Sequence, residues 1–225
     1  MAKLSDLIPE MSRHLEIPEE TVSVFARHLR LARLISTSGR GRGGADMTPT
    51  DCTNLLLAML SGMPAKDSAQ AVSIYTKLKS PLPWMRDEDA PVVPWLEELK
   101  NATLGRALDR LLTAATTDKF ANLEREAIDA TTARNWYVIV RIMSPKPDGK
   151  ILIGAGIPEF AGEFRKYNKV IASIDFKQGV ITQDPSDKRN FEEFVAAQRG
   201  WNSDRIRMEQ ISHGTLRRLG KLLKR

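Results

Sequence analysis

A chain of 225 residues that is 42% hydrophobic and 28% charged is long enough to bury a real core and too apolar to stay wholly disordered. Its one cysteine, Cys52, excludes a disulfide framework and any multi-cysteine zinc site, and points to a reducing compartment. The net charge of +6 permits a nucleic-acid partner without requiring one, so the placement of the cations decides more than their number.

The opening residues, Met1-Ala2-Lys3-Leu4-Ser5-Asp6, hold no apolar run of signal-peptide length. The densest apolar stretch, residues 55–60, is too short to cross a bilayer. The expectation is a cytoplasmic protein that avoids membranes. From residue 5 to 15, Leu7, Ile8, Met11 and Leu15 recur at helical spacing, with Ser5 as the expected N-cap. Pro9 is compatible with that helix if it falls within about the first turn. A second helix is expected to start with Pro18 at its first position, carrying Glu19 and Glu20 at its positive end. Its inward face is Val22, Phe25, Ala26 and Leu29, which leaves Glu19, Glu20, Ser23, Val24, Arg27 and Arg30 outward. The segment Gly39-Arg40-Gly41-Arg42-Gly43-Gly44 cannot be regular helix, and a third helix begins at Thr48-Pro49-Thr50-Asp51 with Leu55, Leu56, Met59 and Leu60 on its core face.

Further on, residues 68–78 read as helix. Residues 80–94, with four prolines and the acidic Asp87-Glu88-Asp89, read as a linker or an ordered crossing loop. A long helical pattern then runs from Trp95 through Leu99, Leu104 and Leu108 to Leu112. The character changes at Asn135, where aromatic and β-branched residues announce a strand. A turn at 145–149 and a returning strand at 150–157 make it a hairpin, and residues 170–176 with 180–183 suggest a second one. A short helix at 191–198, a strand at 205–211 and a basic amphipathic helix at 215–224 complete an α+β chain. That last helix either packs on the sheet with its cations solvated or touches phosphates or another protein. Three units are expected: residues 1–62, a helical connector over 63–130, and an α+β unit over 131–225.

The cations are concentrated. Between residues 21 and 45 the chain carries Arg27, Arg30, Arg33, Arg40 and Arg42 with no acid, and after His213 it carries Arg217, Arg218, Lys221, Lys224 and Arg225, again with none. Met11, Leu15, Ile17, Val22 and Phe25 stand at the spacing that holds two short helices steeply across a tight turn. On these residues the chain, over residues 4–62, resembles the helix-turn-helix and winged-helix DNA-binding superfamily, and within it regulators found in bacterial prophages. It departs from the family at Glu16, where many members have glycine.

The resemblance implies a recognition helix from Pro18 to about Leu31 or Leu34, whose Ser23, Arg27 and Arg30 face base edges, arginine pairing best with guanine through its two-pronged donors. Arg33 follows on the same basic segment. It further implies a wing, with Leu34-Ile35-Ser36 and Ala45-Asp46-Met47 as its strands and Arg40 and Arg42 on its tip. The function implied is a sequence-specific transcription regulator working as a homodimer on double-stranded DNA in the nucleoid, with RNA polymerase as a further partner and no cofactor. The other function considered is a packaging or recombination accessory protein of a mobile element. No enzyme is expected, because no nucleophile and base, metal cluster or paired acids can be assembled. The arginine-glycine stretch lacks the lysine and hydroxyl of a P-loop, and Gly154-Ala155-Gly156, broken by Pro158, reads as a bend in a sheet. His14, His28 and His213 share no metal-ligand spacing, and Cys52 reads as a buried filler.

Overall fold

The computed structural model describes residues 2–37, 44–80, 96, 98–99, 101–129, 136–144, 147–155, 169–177 and 207–224. Helices α1 (Leu4–Leu15), α2 (Glu19–Leu31), α3 (Pro49–Leu60) and α4 (Ser68–Tyr75) come first. Helices α5 (Leu104–Ala115) and α6 (Lys119–Asp129) follow. Strands β1 (Trp136–Ser144), β2 (Asp148–Ala155), β3 (Lys169–Lys177) and β4 (Arg207–Ser212) lead to a final helix, α7 (His213–Lys224). The mixed α+β class expected from the sequence is what the chain adopts.

The strands form one antiparallel sheet in the order β3-β2-β1-β4. β1 is central because it can be buried on both sides: Trp136 through Val140 are all buried. One face of the sheet turns inward through cross-strand pairs of branched side chains, Val138 with Ile153, Val140 with Ile151 and Ile211, and Ile151 with Ile174. These residues share one core with Leu7, Leu29, Leu55, Leu108 and Leu216, so the buried residues of the helices and the sheet form a single cluster. Tyr75 is fully buried, and its hydroxyl donates to the Met143 carbonyl at 2.8 Å, tying α4 to β1. The expected bend near Gly154 is a slip in the β2–β3 register between Ile153 and Gly154.

Several local expectations are corrected. Lys3, not Ser5, caps α1, with its backbone N–H donating to Asp6 at 2.8 Å. Pro9 is the sixth residue of α1, past the first turn. The helix tolerates it because Ser5, whose carbonyl loses its partner, lies at the exposed surface where water can serve. Pro18 is the cap of α2 instead of its first residue. α3 is buried from Asp51 to Leu60 on every side, not along one stripe, because it runs between α2, α4 and α5. The long helical pattern after Trp95 resolves into buried Leu96 and Leu99 followed by a fresh start at Leu104, where the Thr103 hydroxyl accepts from the Arg106 N–H. The second strand of the expected second hairpin (180–183) and the helix at 191–198 lie outside the described residues, and β3 pairs with β2. α7 rests mainly on α5 and α1, with a lesser contact to β1 and β4, because Leu216, Leu219 and Leu223 complete the helical core.

Candidate nucleic-acid interface

α1 and α2 are joined by a turn so short that one residue must reverse the chain. Glu16 does so in the left-handed conformation (φ 55°), and the Ile17 N–H reaches back to the Ser12 carbonyl at 3.2 Å. This is the position at which glycine would be free of strain, which accounts in physical terms for the one departure noted in the sequence. Met11 is fully buried in front of the turn, and Val22 and Phe25 are buried after it. Leu15 and Ile17 are half-buried against the same core.

The faces of α2 divide as its periodicity dictates. Val22, Phe25, Ala26 and Leu29 are buried. Glu19, Glu20, Ser23, Val24, Arg27 and Arg30 are exposed. Three of the expected contact residues converge: Ser23, Arg27 and Arg30 line one open groove of about 460 Å³ between α2 and α1. The floor of this groove is apolar, from Leu4 and Ile8 of α1 and Ala26 of α2. Leu31 stands at its edge with 72% of its surface exposed. The groove therefore offers two guanidinium groups and a hydroxyl over an apolar bed.

Arg33 is placed differently. It ends α2 in the left-handed conformation (φ 59°), with its N–H on the Arg30 carbonyl at 3.0 Å and the next N–H, of Leu34, on the Leu29 carbonyl at 2.9 Å. It stands exposed at the base of the following loop, off the groove. Arg40 and Arg42 lie outside the described residues.

The described segments on either side of residues 38–43 are both tied down. Leu34-Ile35-Ser36 and Ala45-Asp46-Met47, expected to pair as a wing, form no ladder with each other among the described residues. The returning leg pairs with the chain's start instead, through a bridge between Lys3 and Asp46 and the Met47 N–H on the Ala2 carbonyl at 2.8 Å. The leaving leg is held by α3. The buried Asp51 carboxylate accepts from the Ser36 N–H and from the Thr48 N–H and hydroxyl, each at 2.8 Å, and the Asn54 amide donates to the Leu34 carbonyl at 2.7 Å. The Lys3 ammonium binds the Gly44 carbonyl and the Asp46 carboxylate, both at 2.6 Å, and that hydrogen bond holds the Asp46 carboxyl below its usual range. Asp51 and Asn54 are the positioning residues that sequence reasoning missed. Thr48-Pro49-Thr50-Asp51 announced a helix start, but nothing local announces that the same carboxylate also reaches back to Ser36.

The remaining sequence candidates are elsewhere. Cys52 is fully buried, and burial beside Asp109 and Asp51 pushes its thiol far up, away from a reactive thiolate. His14 and His28 are half-buried in α1 and α2. His213 lies against the Trp136 ring, with centroids 5.1 Å apart. Among the described residues no group of three His, Cys, Asp or Glu side chains is placed to hold a metal ion. No helix among them is long and apolar enough to cross a membrane. Comparison with protein-family models gives no match, nor does comparison with curated proteins or with solved structures.

Proposed function

We propose that this chain is a sequence-specific, double-stranded DNA-binding transcription regulator that reads base edges with α2 and holds phosphates with the arginine-glycine loop. The observation that carries the reading is the shared groove of Ser23, Arg27 and Arg30 on an exposed helix that follows a left-handed tight turn. A helix entering the major groove needs a steep entry, a buried back and a small set of fixed donors on its front. The buried back and the front donors are supported by residues named above, and α3 packs behind α2.

The division of labour follows from how each cation is mounted. Arg27 and Arg30 sit on rigid helix, so they can hold a two-pronged geometry to a guanine edge. Arg33 at the helix end, with Arg40 and Arg42 on the loop beyond, supplies charge to phosphates or a narrow minor groove. Glu19 and Glu20 repel phosphates at the start of α2, so the duplex approaches the arginine end of the helix more closely. A homodimer is the expected working form, since paired half-sites are read by paired helices, and the α+β half is then free to dimerise, sense an effector or touch polymerase.

The test is a salt titration of DNA binding by the full chain. With six or more phosphates engaged, affinity should fall by about a thousandfold or more between roughly 50 and 200 mM salt. Salt-insensitive binding, or no binding to any duplex, contradicts the reading.

A further inference from the structure

Among the described residues, three grooves share α1 as a common wall. Leu4 and Ile8 face the α2 groove with Arg27 and Arg30. Ser5, Pro9 and Arg13 face a second hollow of about 440 Å³ whose far wall is Leu222 of α7. Glu10 faces a third, of about 500 Å³, with His213, Arg217, Arg218 and Lys221 of α7. At 100° per residue, Leu4 and Ile8 lie on one flank of α1, Arg13 and Glu10 on the other, and Ser5, Ser12 and Pro9 between them. Leu7 and Met11 are buried beneath. The exposed stripe of α1 is thus bordered on one side by the arginines of α2 and on the other by the cations of α7.

The cations of α7 are not equivalent. Arg217 is held by the Glu124 carboxylate of α6. Arg218 and Lys221, three residues apart on the outward side, have no ion-pair partner among the described residues, and α7 carries no acid to neutralise them. They ride on a fixed support. Leu216 and Leu219 are fully buried, and Gly220 lies so close to Ala115 that α5 and α7 are nearly in backbone contact. The acids nearby are engaged: Glu10 with Arg13, and Asp6 with the Lys3 N–H. Helices in contact lie about 8–10 Å apart, so α7, which like α2 packs on α1, is at most about 16–20 Å from α2. A major groove is about 12 Å wide, so the phosphates flanking it fall within an arginine's or lysine's reach of that span.

Resting on the reading of α2 as the recognition helix, we propose that Arg218 and Lys221 form a second phosphate-binding row for the same DNA duplex, which makes α7 part of the DNA interface. The test compares the full chain with Arg218→Ala/Lys221→Ala on a random-sequence duplex across 50 to 200 mM salt. A control variant, Arg106→Ala/Lys119→Ala, loses the same charge from α5 and α6. Each lost phosphate contact reduces the salt slope by about 0.9, so the full chain should lose about tenfold more affinity over that range than the α7 variant. The control should keep the full slope, and Arg218→Lys/Lys221→Arg should restore it. Thermal melts of the variants establish that they are folded, and Arg218→Gln/Lys221→Gln serves if the alanine pair is not. An unchanged slope in the α7 variants overturns the proposal while leaving α2 in place. An equal loss in the control reduces it to net charge and overturns it too. Binding of single-stranded RNA or of protein by this row, with the duplex slope unaltered, is the wrong occupant and also overturns it. Failure of the full chain to bind any duplex removes the α2 reading itself.

Discussion

Replacing Asp51 separates the stability of the first helices from the placement of the basic loop. Its carboxylate is 4% exposed and accepts three hydrogen bonds at 2.8 Å, from the Ser36 N–H, the Thr48 N–H and the Thr48 hydroxyl. A hydrogen bond to a charged group contributes about 1.5–3 kcal/mol when its buried partner is left bare. Ser36 and Thr48 are exposed, so water can replace the lost acceptor at each donor, which cuts the net loss to about 0.5–1 kcal/mol per bond, or about 1.5–3 kcal/mol for the three. Loss of an acid from the first turn of α3 adds about 0.3–1 kcal/mol. Asp51→Ala should therefore destabilise the chain by about 3 kcal/mol. Asp51→Asn, which keeps one acceptor oxygen, should cost about half of that. Urea unfolding followed by circular dichroism reads both, and amide exchange at Ser36 and Thr48 should accelerate together. DNA affinity should fall beyond what the unfolded fraction explains, because the loop bearing Arg40 and Arg42 loses one anchor. A cost within about 0.5 kcal/mol for Asp51→Ala, typical of a surface site, would refute the anchoring role.

Three further outcomes follow from the backbone and the packing. Glu16→Gly should stabilise by about 0.5–1 kcal/mol, because relief of the left-handed penalty outweighs the extra freedom of the unfolded chain; destabilisation in a urea titration would mean that the turn is built differently. Gly220→Ala places a methyl 2.5 Å from the Ala115 side chain and 2.6 Å from its carbonyl carbon, so overpacking of about 1–3 kcal/mol should exceed alanine's helix advantage of about 1 kcal/mol; a raised melting temperature would contradict the close approach of α5 and α7. Burial, with Arg217 beside it, lowers the His213 pKa in the folded chain, so the unfolded chain takes up the proton first and stability is lost as pH falls through the ordinary imidazole range. His213→Gln should flatten the stability profile between about pH 7 and 5, and an unchanged profile would show that His213 does not contribute.

The sequence showed faces better than partners. The burial of Val22, Phe25, Ala26 and Leu29 against the exposure of Ser23, Arg27 and Arg30 follows from a 3.6-residue period, and α2 obeys it residue by residue. The Thr48 cap and the first hairpin are equally local, one a hydroxyl before a proline-started helix and the other two branched runs about a turn. α3 misled because it is enclosed on all sides: Thr53 and Asn54, polar residues off the expected core face, are buried with the leucines. The reach of Asp51 to Ser36 and the docking of α7 on α1 depend on residues far apart in the chain, and amphipathicity says that a face is covered without saying by what. The same limit applies to the wing, whose composition marks a turn while its expected second leg pairs with Lys3.

The central claim is that Arg27 reads a base from α2, and its most direct test is a specificity ratio. A preferred site is first selected by the full chain from a random duplex pool. Affinities for that site and for random DNA are then measured for the full chain and for Arg27→Ala. The expected result is a loss of about 1–3 kcal/mol on the selected site and much less on random DNA, so the ratio between them narrows. An equal loss on both, or none on either, in a variant whose circular dichroism matches the parent's, would contradict it.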